Sequence, residues 1–144
     1  MSIQIIKNGV SFCVQNNENY ASFWQTVANG EWEPETFSIF DAYLTPETTY
    51  LDAGAWIGPT LLYAAARSRR AIGFEPDPTA FAELRQNLDL NPALNTVQIE
   101  QACIWKEEGM ISLGNPEQQG NSMSSILFQQ ASNAWQTHAI FLPD

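Results

Sequence analysis

The stretch Thr48 to Thr60, TTYLDAGAWIGPT, admits few folds. A β-prone run, Thr48 to Leu51, ends in Asp52. Gly54 and Gly58 make a loop, and Pro59 opens an alanine-rich helix to Arg67, thin enough to pack closely on a sheet. A glycine loop between a strand and a helix start brings backbone N–H groups to one point in space. Ala71 to Phe74 is a second strand. Asp77-Pro78 reads as a cap and first-turn proline, and Phe81, Leu84 and Leu88 give the next helix its apolar face. Asn91-Pro92 stops that helix. Thr96 to Gln101 alternates Val97 and Ile99 with polar residues and makes a third strand. This order predicts an α/β fold whose parallel sheet has right-handed crossovers.

The flanks are less regular. Ile3 to Ile6 and Val10 to Val14 are β-prone, and Asn8-Gly9 between them predicts a hairpin. From Glu18 to Ala28, Tyr20, Phe23, Trp24 and Val27 share a helical face, with Asn16 or Asn17 as cap and Gly30 as stop. Pro34 suits the first turn of a second helix lined by Phe37, Phe40 and Leu44. After the central unit, Ile104 to Lys106 and Met110 to Leu113 flank Glu107-Glu108-Gly109, a second hairpin signal. Gly114 to Ser125 is polar and turn-rich. Ile126 to Phe128 and Trp135 to Phe141 are short β-prone runs. The 144 residues fit one domain, 1–144, in three parts: 1–46, 47–103 and 104–144.

Sixteen acidic residues against six basic ones leave a net charge of −10. Such a surface repels phosphate backbones, so no nucleic-acid partner is expected. Cys13 and Cys103 sit in apolar runs as free thiols and fit a reducing compartment. The chain shows no leader pattern and no apolar run of membrane-spanning length, which predicts a cytoplasmic protein without a membrane partner.

Glu75 ends the second strand, 21 positions after Gly54. In a doubly wound sheet a carboxylate there accepts hydrogen bonds from the hydroxyls of an adenosine ribose. The loop reads D-x-G-x-x-x-G, not the G-x-G-x-x-G of dinucleotide binders. Asp52 would repel a pyrophosphate and suit a cationic or zwitterionic ligand. S-adenosylmethionine, with its ammonium, sulfonium and adenosine and no phosphate, meets both conditions. Asp52 argues against the rival nicotinamide cofactor.

The run from Trp32 to Pro92 resembles the FkbM-type S-adenosylmethionine-dependent methyltransferases. The matching pieces are EWEPETF at Glu31 to Phe37, LDAGAWIG at Leu51 to Gly58, GFEPDPTAF at Gly73 to Phe81 and LRQNLDLNP at Leu84 to Pro92. It continues more weakly through Gln101-Ala102-Cys103 and Ser122 to Ser125. The resemblance implies a Rossmann-like class I methyltransferase sheet with helices on both faces, and O-methylation of a small-molecule or sugar hydroxyl. It places Asp52, Ala53 and Gly54 at the methionine end of the cofactor and lets Gly58 allow close approach of the loop. Glu75 would hold the ribose, Pro76 and Asp77 the adenine edge, and Ala102 and Cys103 would lie near the adenine. Ala55-Trp56 departs from the family, which has a small residue and then Asn; Trp56 would crowd or cover the cofactor. The family's next landmark, an Asp-x-Glu-Gly strand, does not occur before Asp144. The expectation is a sheet truncated after its third parallel strand, with a second copy or another partner over its open edge.

Other residues have plainer uses. His138, the only histidine, is a candidate general base, but a packed or surface role competes with that, and no general base is assigned. Glu31, Glu33 and Glu35 form an acidic run in which Glu33 is a candidate ligand contact. Arg67, Arg69 and Arg70 close a helix, where cations complement the dipole. No metal site is expected. The alternative function is a non-catalytic binding or interaction module that keeps the fold.

Overall fold

In the computed structural model, which describes residues 2–142, Asn8 and Gly9 both take left-handed backbone (φ 47° and 80°). They turn β1 (Ser2–Lys7) back onto β2 (Val10–Gln15), antiparallel, with Lys7 opposite Val10. The predicted hairpin is present for the predicted reason. The outer ends of the expected domain, Met1 and Pro143-Asp144, lie outside the described residues.

Helix α1 (Ala21–Asn29) buries Trp24 and Val27, and Gly30 closes it in the left-handed conformation. Its cap differs from expectation. Tyr20 stands at the N-cap without a side-chain bond, while Asn17 accepts the Asn19 N–H in a turn before the helix. Helix α2 (Pro34–Tyr43) has Pro34 in its first turn and buries Phe37.

The central unit is a parallel sheet ordered β3-β4-β5, built from β3 (Thr49–Ala53), β4 (Arg70–Phe74) and β5 (Val97–Glu100). Helices α3 (Pro59–Ala65) and α4 (Pro78–Asp89) make the crossovers. Leu61, Ala65, Phe81 and Leu84 bury one sheet face against Ala71, with Tyr50, Val97 and Ile99 packed around them. The hairpin, α1 and α2 lie outside these helices. There Ile5, Phe12, Val14, Trp24, Val27, Phe37, Leu62 and Tyr63 form the larger core.

The asparagines at the end of α4 have a clear use. The Asn91 side chain accepts the Cys13 N–H (2.8 Å) and donates to the Cys13 carbonyl (2.7 Å). Asn87 accepts the Gln15 N–H (2.7 Å) and donates to the Ile57 carbonyl (2.9 Å). A side-chain amide has the donor and acceptor of a peptide group, so Asn91 pairs with β2 as a neighbouring strand would, while Asn87 ties β2 to the loop before α3.

Three expectations are corrected. Helices do not cover both sheet faces: Thr49, Leu51 and Ala53 are exposed on the second face, Leu51 by 44%, and no helix among the described residues packs there. Each right-handed crossover steps the same way along β3-β4-β5, so both helices land on one side. The hairpin expected around Glu107-Glu108-Gly109 does not form either. Strand β8 (Trp135–Ile140) lies between β6 (Ala102–Ile104) and β7 (Gly109–Leu113), parallel to the first and antiparallel to the second. By sitting in the middle, β8 pairs both its edges and buries Thr137 and Ala139. Lastly, Ile126–Phe128 is a short 3₁₀ turn in place of a strand, capped by Ser125 and leaving Leu127 exposed.

Candidate functional site

Asp52 faces Gly73 across the β3-β4 pair, and Ala53 faces Phe74, so the two strand tips are side by side. The Gly54 and Ala55 N–H groups both donate to the Phe74 carbonyl (2.8 and 2.9 Å). The Gly58 N–H donates to the Ala55 carbonyl (2.9 Å) and the Trp56 N–H to Glu75 (2.8 Å). These amides are committed within the protein. A loop that had to cradle a pyrophosphate would keep them free.

Two buried carboxylates follow from this geometry. Asp52 accepts the hydroxyl of Thr60, in the first turn of α3, at 2.7 Å. Burial pushes its carboxyl upward, against the lowering effect of hydrogen bonds from Thr60 and Tyr50. Glu75 is held from both sides: Oε1 accepts the Asp77 N–H (2.7 Å) and Oε2 the Trp56 N–H (2.8 Å). Burial nevertheless pushes its carboxyl up to about 7, and the negative charges of Asp77 and Asp52 act in the same direction. A carboxylate oxygen has two lone pairs, so each Glu75 oxygen keeps one acceptor position after these bonds.

Three cavities border Gly54. One, of about 280 Å³, is mainly apolar and lies among Ala53, Pro76, Cys103, Ile104, Trp105 and Leu113. A second, of about 460 Å³, opens between Phe23, Trp32, Glu33, Asp52, Trp56 and Thr60. The third, about 100 Å³, is bounded by Trp56, Glu75, Pro76, Ser122 and Ser124. It shares Pro76 and Ser124 with the first and Trp56 and Ser122 with the second, so Glu75 stands in the middle of one groove.

Residue Gly120 straps the 114–125 segment over this groove. Its carbonyl accepts the Trp56 indole N–H (2.8 Å) and the Tyr20 hydroxyl (3.0 Å), and its N–H donates to Asp77 (2.9 Å). Trp56 itself is left-handed, with φ of 50°. Its ring packs edge-to-face on Phe23, centroids 4.5 Å apart.

Among the residues singled out from the sequence, Asp52, Ala53, Gly54, Ala55, Trp56, Glu75, Pro76 and Cys103 border the groove. Gly58, Asp77 and Ala102 do not line it. Gly58 caps α3 at φ 98°, and a Cβ there would lie 2.8 Å from Leu84 Cδ1. Its bareness serves helix packing. Asp77 is fully buried, with all four acceptor positions filled by the N–H groups of Thr79, Ala80 and Gly120 and the Ser124 hydroxyl. It caps α4 and anchors the strap, and has nothing left for an adenine edge. Ala102 lines a different cavity together with Arg85 and His138. His138 is exposed there and lines none of the three cavities of the groove.

Several groove residues carried no signal of their own. Phe23 and Trp32 belong to the aromatic pattern of the N-terminal helices, and Thr60 looked like an ordinary first-turn residue. The Thr60 position, eight after Asp52, was the available clue. Glu33, a candidate ligand contact from its acidic run, lines the second cavity. Burial raises the Cys103 thiol, which opposes a nucleophilic role. Among the described residues no cluster of His, Cys, Asp and Glu could hold a metal ion, and no helix is long and apolar enough to cross a membrane.

No family model matches the sequence, and no curated protein matches it. Two solved structures share part of the chain's shape. The proposed transferase PH0793 of Pyrococcus horikoshii is 17% identical with a TM-score of 0.44, over 69% of this chain and 35% of that one. Wild-type Trm5b of Pyrococcus abyssi is 16% identical with a TM-score of 0.44, over 81% of this chain and 42% of that one. The chain thus spans less than half the length of either, and at this level of likeness neither carries an assignment.

Proposed function

We propose that the chain binds S-adenosylmethionine in the groove at the tips of β3 and β4 and is the cofactor-binding part of a methyltransferase. One observation carries this: Asp52 and Glu75, buried on adjacent parallel strands, open on cavities joined at Gly54. The two free acceptor positions of Glu75 match the two hydroxyls of a ribose. The apolar cavity beside Cys103 and Ile104 suits an adenine ring, and the acidic one beside Asp52 suits an ammonium. The committed loop amides agree with a cofactor that has no phosphate.

When bound, the cofactor supplies an electrophilic methyl group for an acceptor. The chain's own contribution is positioning and exclusion of water. Glu75 is pre-set by the Trp56 and Asp77 N–H groups, and the Gly120 strap closes the ribose position. The resemblance of the Trp32 to Pro92 run to the FkbM type extends the proposal to O-methylation of a small-molecule or sugar hydroxyl. Titration calorimetry with S-adenosylhomocysteine, with NADH in parallel, tests it: saturable heat with the first and none with the second is expected. Heat with NADH alone defeats the proposal.

A second reading, a non-catalytic interaction module, is favoured by the open face of the sheet. There β3 is an edge strand and Leu51 is 44% exposed. It predicts self-association in light scattering that Leu51→Lys abolishes, and no heat with S-adenosylhomocysteine.

A further inference from the structure

The segment 114–125 is built as a flap. Its two ends are tied to each other: the Gly114 N–H donates to the Ser125 carbonyl (3.0 Å) and the Ser125 N–H to the Gly114 carbonyl (2.9 Å). Within it, the buried Asn115 side chain donates to Asn121 and accepts the Glu117 N–H (3.0 Å), and Asn121 accepts the Met123 N–H (2.9 Å). A loop closed at its base and bonded within itself moves as a unit. Its attachment to the rest of the domain is polar. Pro116 and Met123, its only apolar side chains, are both exposed. Its tip is held by the three bonds at Gly120, and the Ser124 hydroxyl adds one to Asp77 (3.2 Å). Glu117 and Gln119 meet Asn133 at 3.4 and 3.2 Å. A segment docked by hydrogen bonds without buried apolar contacts opens more readily than the core.

The groove needs a moving part. Gly54 borders all three cavities, and so does the flap: Ser124 lines the first, Ser122 the second, and both line the third. A ligand lying across the three touches both walls. Along the groove the volumes run wide, narrow, wide, at about 280, 100 and 460 Å³. A ligand whose wider ends rest in the outer cavities cannot thread through the narrow one, so one wall must lift. The Gly54 wall is fixed, its N–H bonded to the Phe74 carbonyl in the sheet (2.8 Å). We infer that 114–125 is a gate that lifts from the strand tips to admit and release the ligand, latched at Gly120 by Tyr20, Trp56 and Asp77. The gating role rests on the methyl-donor proposal; the opening of the flap does not. Tyr20 lines none of the three cavities, so it acts on the gate without touching the ligand.

The test is Tyr20→Phe, which removes one latch bond and keeps a ring edge-to-face on Trp56. Amide exchange in the ligand-free chain, followed by NMR, should show the Gly120 N–H exchanging faster than the amides of β4, and about fivefold faster again in the variant. Binding of S-adenosylhomocysteine is followed by stopped-flow tryptophan fluorescence. Association and dissociation should both quicken about fivefold in Tyr20→Phe, with Kd changed by less than about twofold, because the latch closes the free and the loaded groove alike. An unchanged association rate, or faster dissociation alone, makes the segment a fixed wall and overturns the inference. A Gly120 N–H that exchanges only at the rate of β4 does the same. No binding of S-adenosylhomocysteine to either protein removes the donor proposal and the gating role with it, and the exchange result alone then decides the flap.

Discussion

The Glu75 carboxylate binds the backbone N–H of Trp56 at 2.8 Å, 19 positions earlier in the chain. The tip of β4 thereby sets the conformation of the loop that leaves β3. Glu75 is thus both the proposed ribose acceptor and the latch of the glycine loop, and its charge state should be felt in stability as well as in binding.

Glu75 sets a pH dependence of stability. Its carboxyl sits at about 7 in the folded chain, against 4.5 ordinarily. Between these values the folded chain keeps a proton that the unfolded chain releases, so stability falls as pH rises through the window. It levels off above about 7, lower by about 3 kcal/mol. Asp52, also raised, acts in the same sense. Urea unfolding should give a lower midpoint at pH 8 than at pH 5, with a flatter profile for Glu75→Ala. A ribose needs the ionised acceptor, so affinity for S-adenosylhomocysteine should rise with pH across the same range.

Asp77→Ala removes the α4 cap and the anchor of the strap together. A lost cap costs about 1–2 kcal/mol. Freeing the Gly120 N–H adds to that, so a total near 3 kcal/mol is expected in urea unfolding.

Trp56→Phe keeps a ring against Phe23 but loses the bond to the Gly120 carbonyl. Stability should drop by about 1 kcal/mol. Hydrogen exchange should speed up across 114–125 and stay unchanged in β1 and β2.

Gly58→Ala puts a Cβ 2.8 Å from Leu84 Cδ1 at a φ of 98°. A loss of about 2 kcal/mol is expected from strain and crowding. Ligand affinity in the folded fraction should be unchanged, because Gly58 does not line the groove.

What could be foreseen follows the range of the interactions. The Asn8-Gly9 turn, the Asp77-Pro78 cap and the β3-α3-β4-α4-β5 order depend on neighbours within a few positions, and each appears where its residues predict. The insertion of β8 between β6 and β7 pairs Ala102 with His138, across 36 positions, and no local signal announces it. Site residues divide in the same way. That Asp52 and Glu75 stand side by side at the groove is legible because a strand tip is a fixed place in a parallel sheet. Asp77 and Gly58 sat in the right motif but had been recruited for capping and packing. Phe23, Trp32 and Ser124 reach the groove only through the fold of distant segments.

The most direct measurement is calorimetric titration of S-adenosylhomocysteine into the native chain and into Glu75→Ala, at pH 8. The proposed ribose contact predicts saturable binding to the first and a loss of at least about tenfold in the second, as for removal of a charged acceptor. Equal affinity for both proteins, or no binding to the native chain, would contradict it.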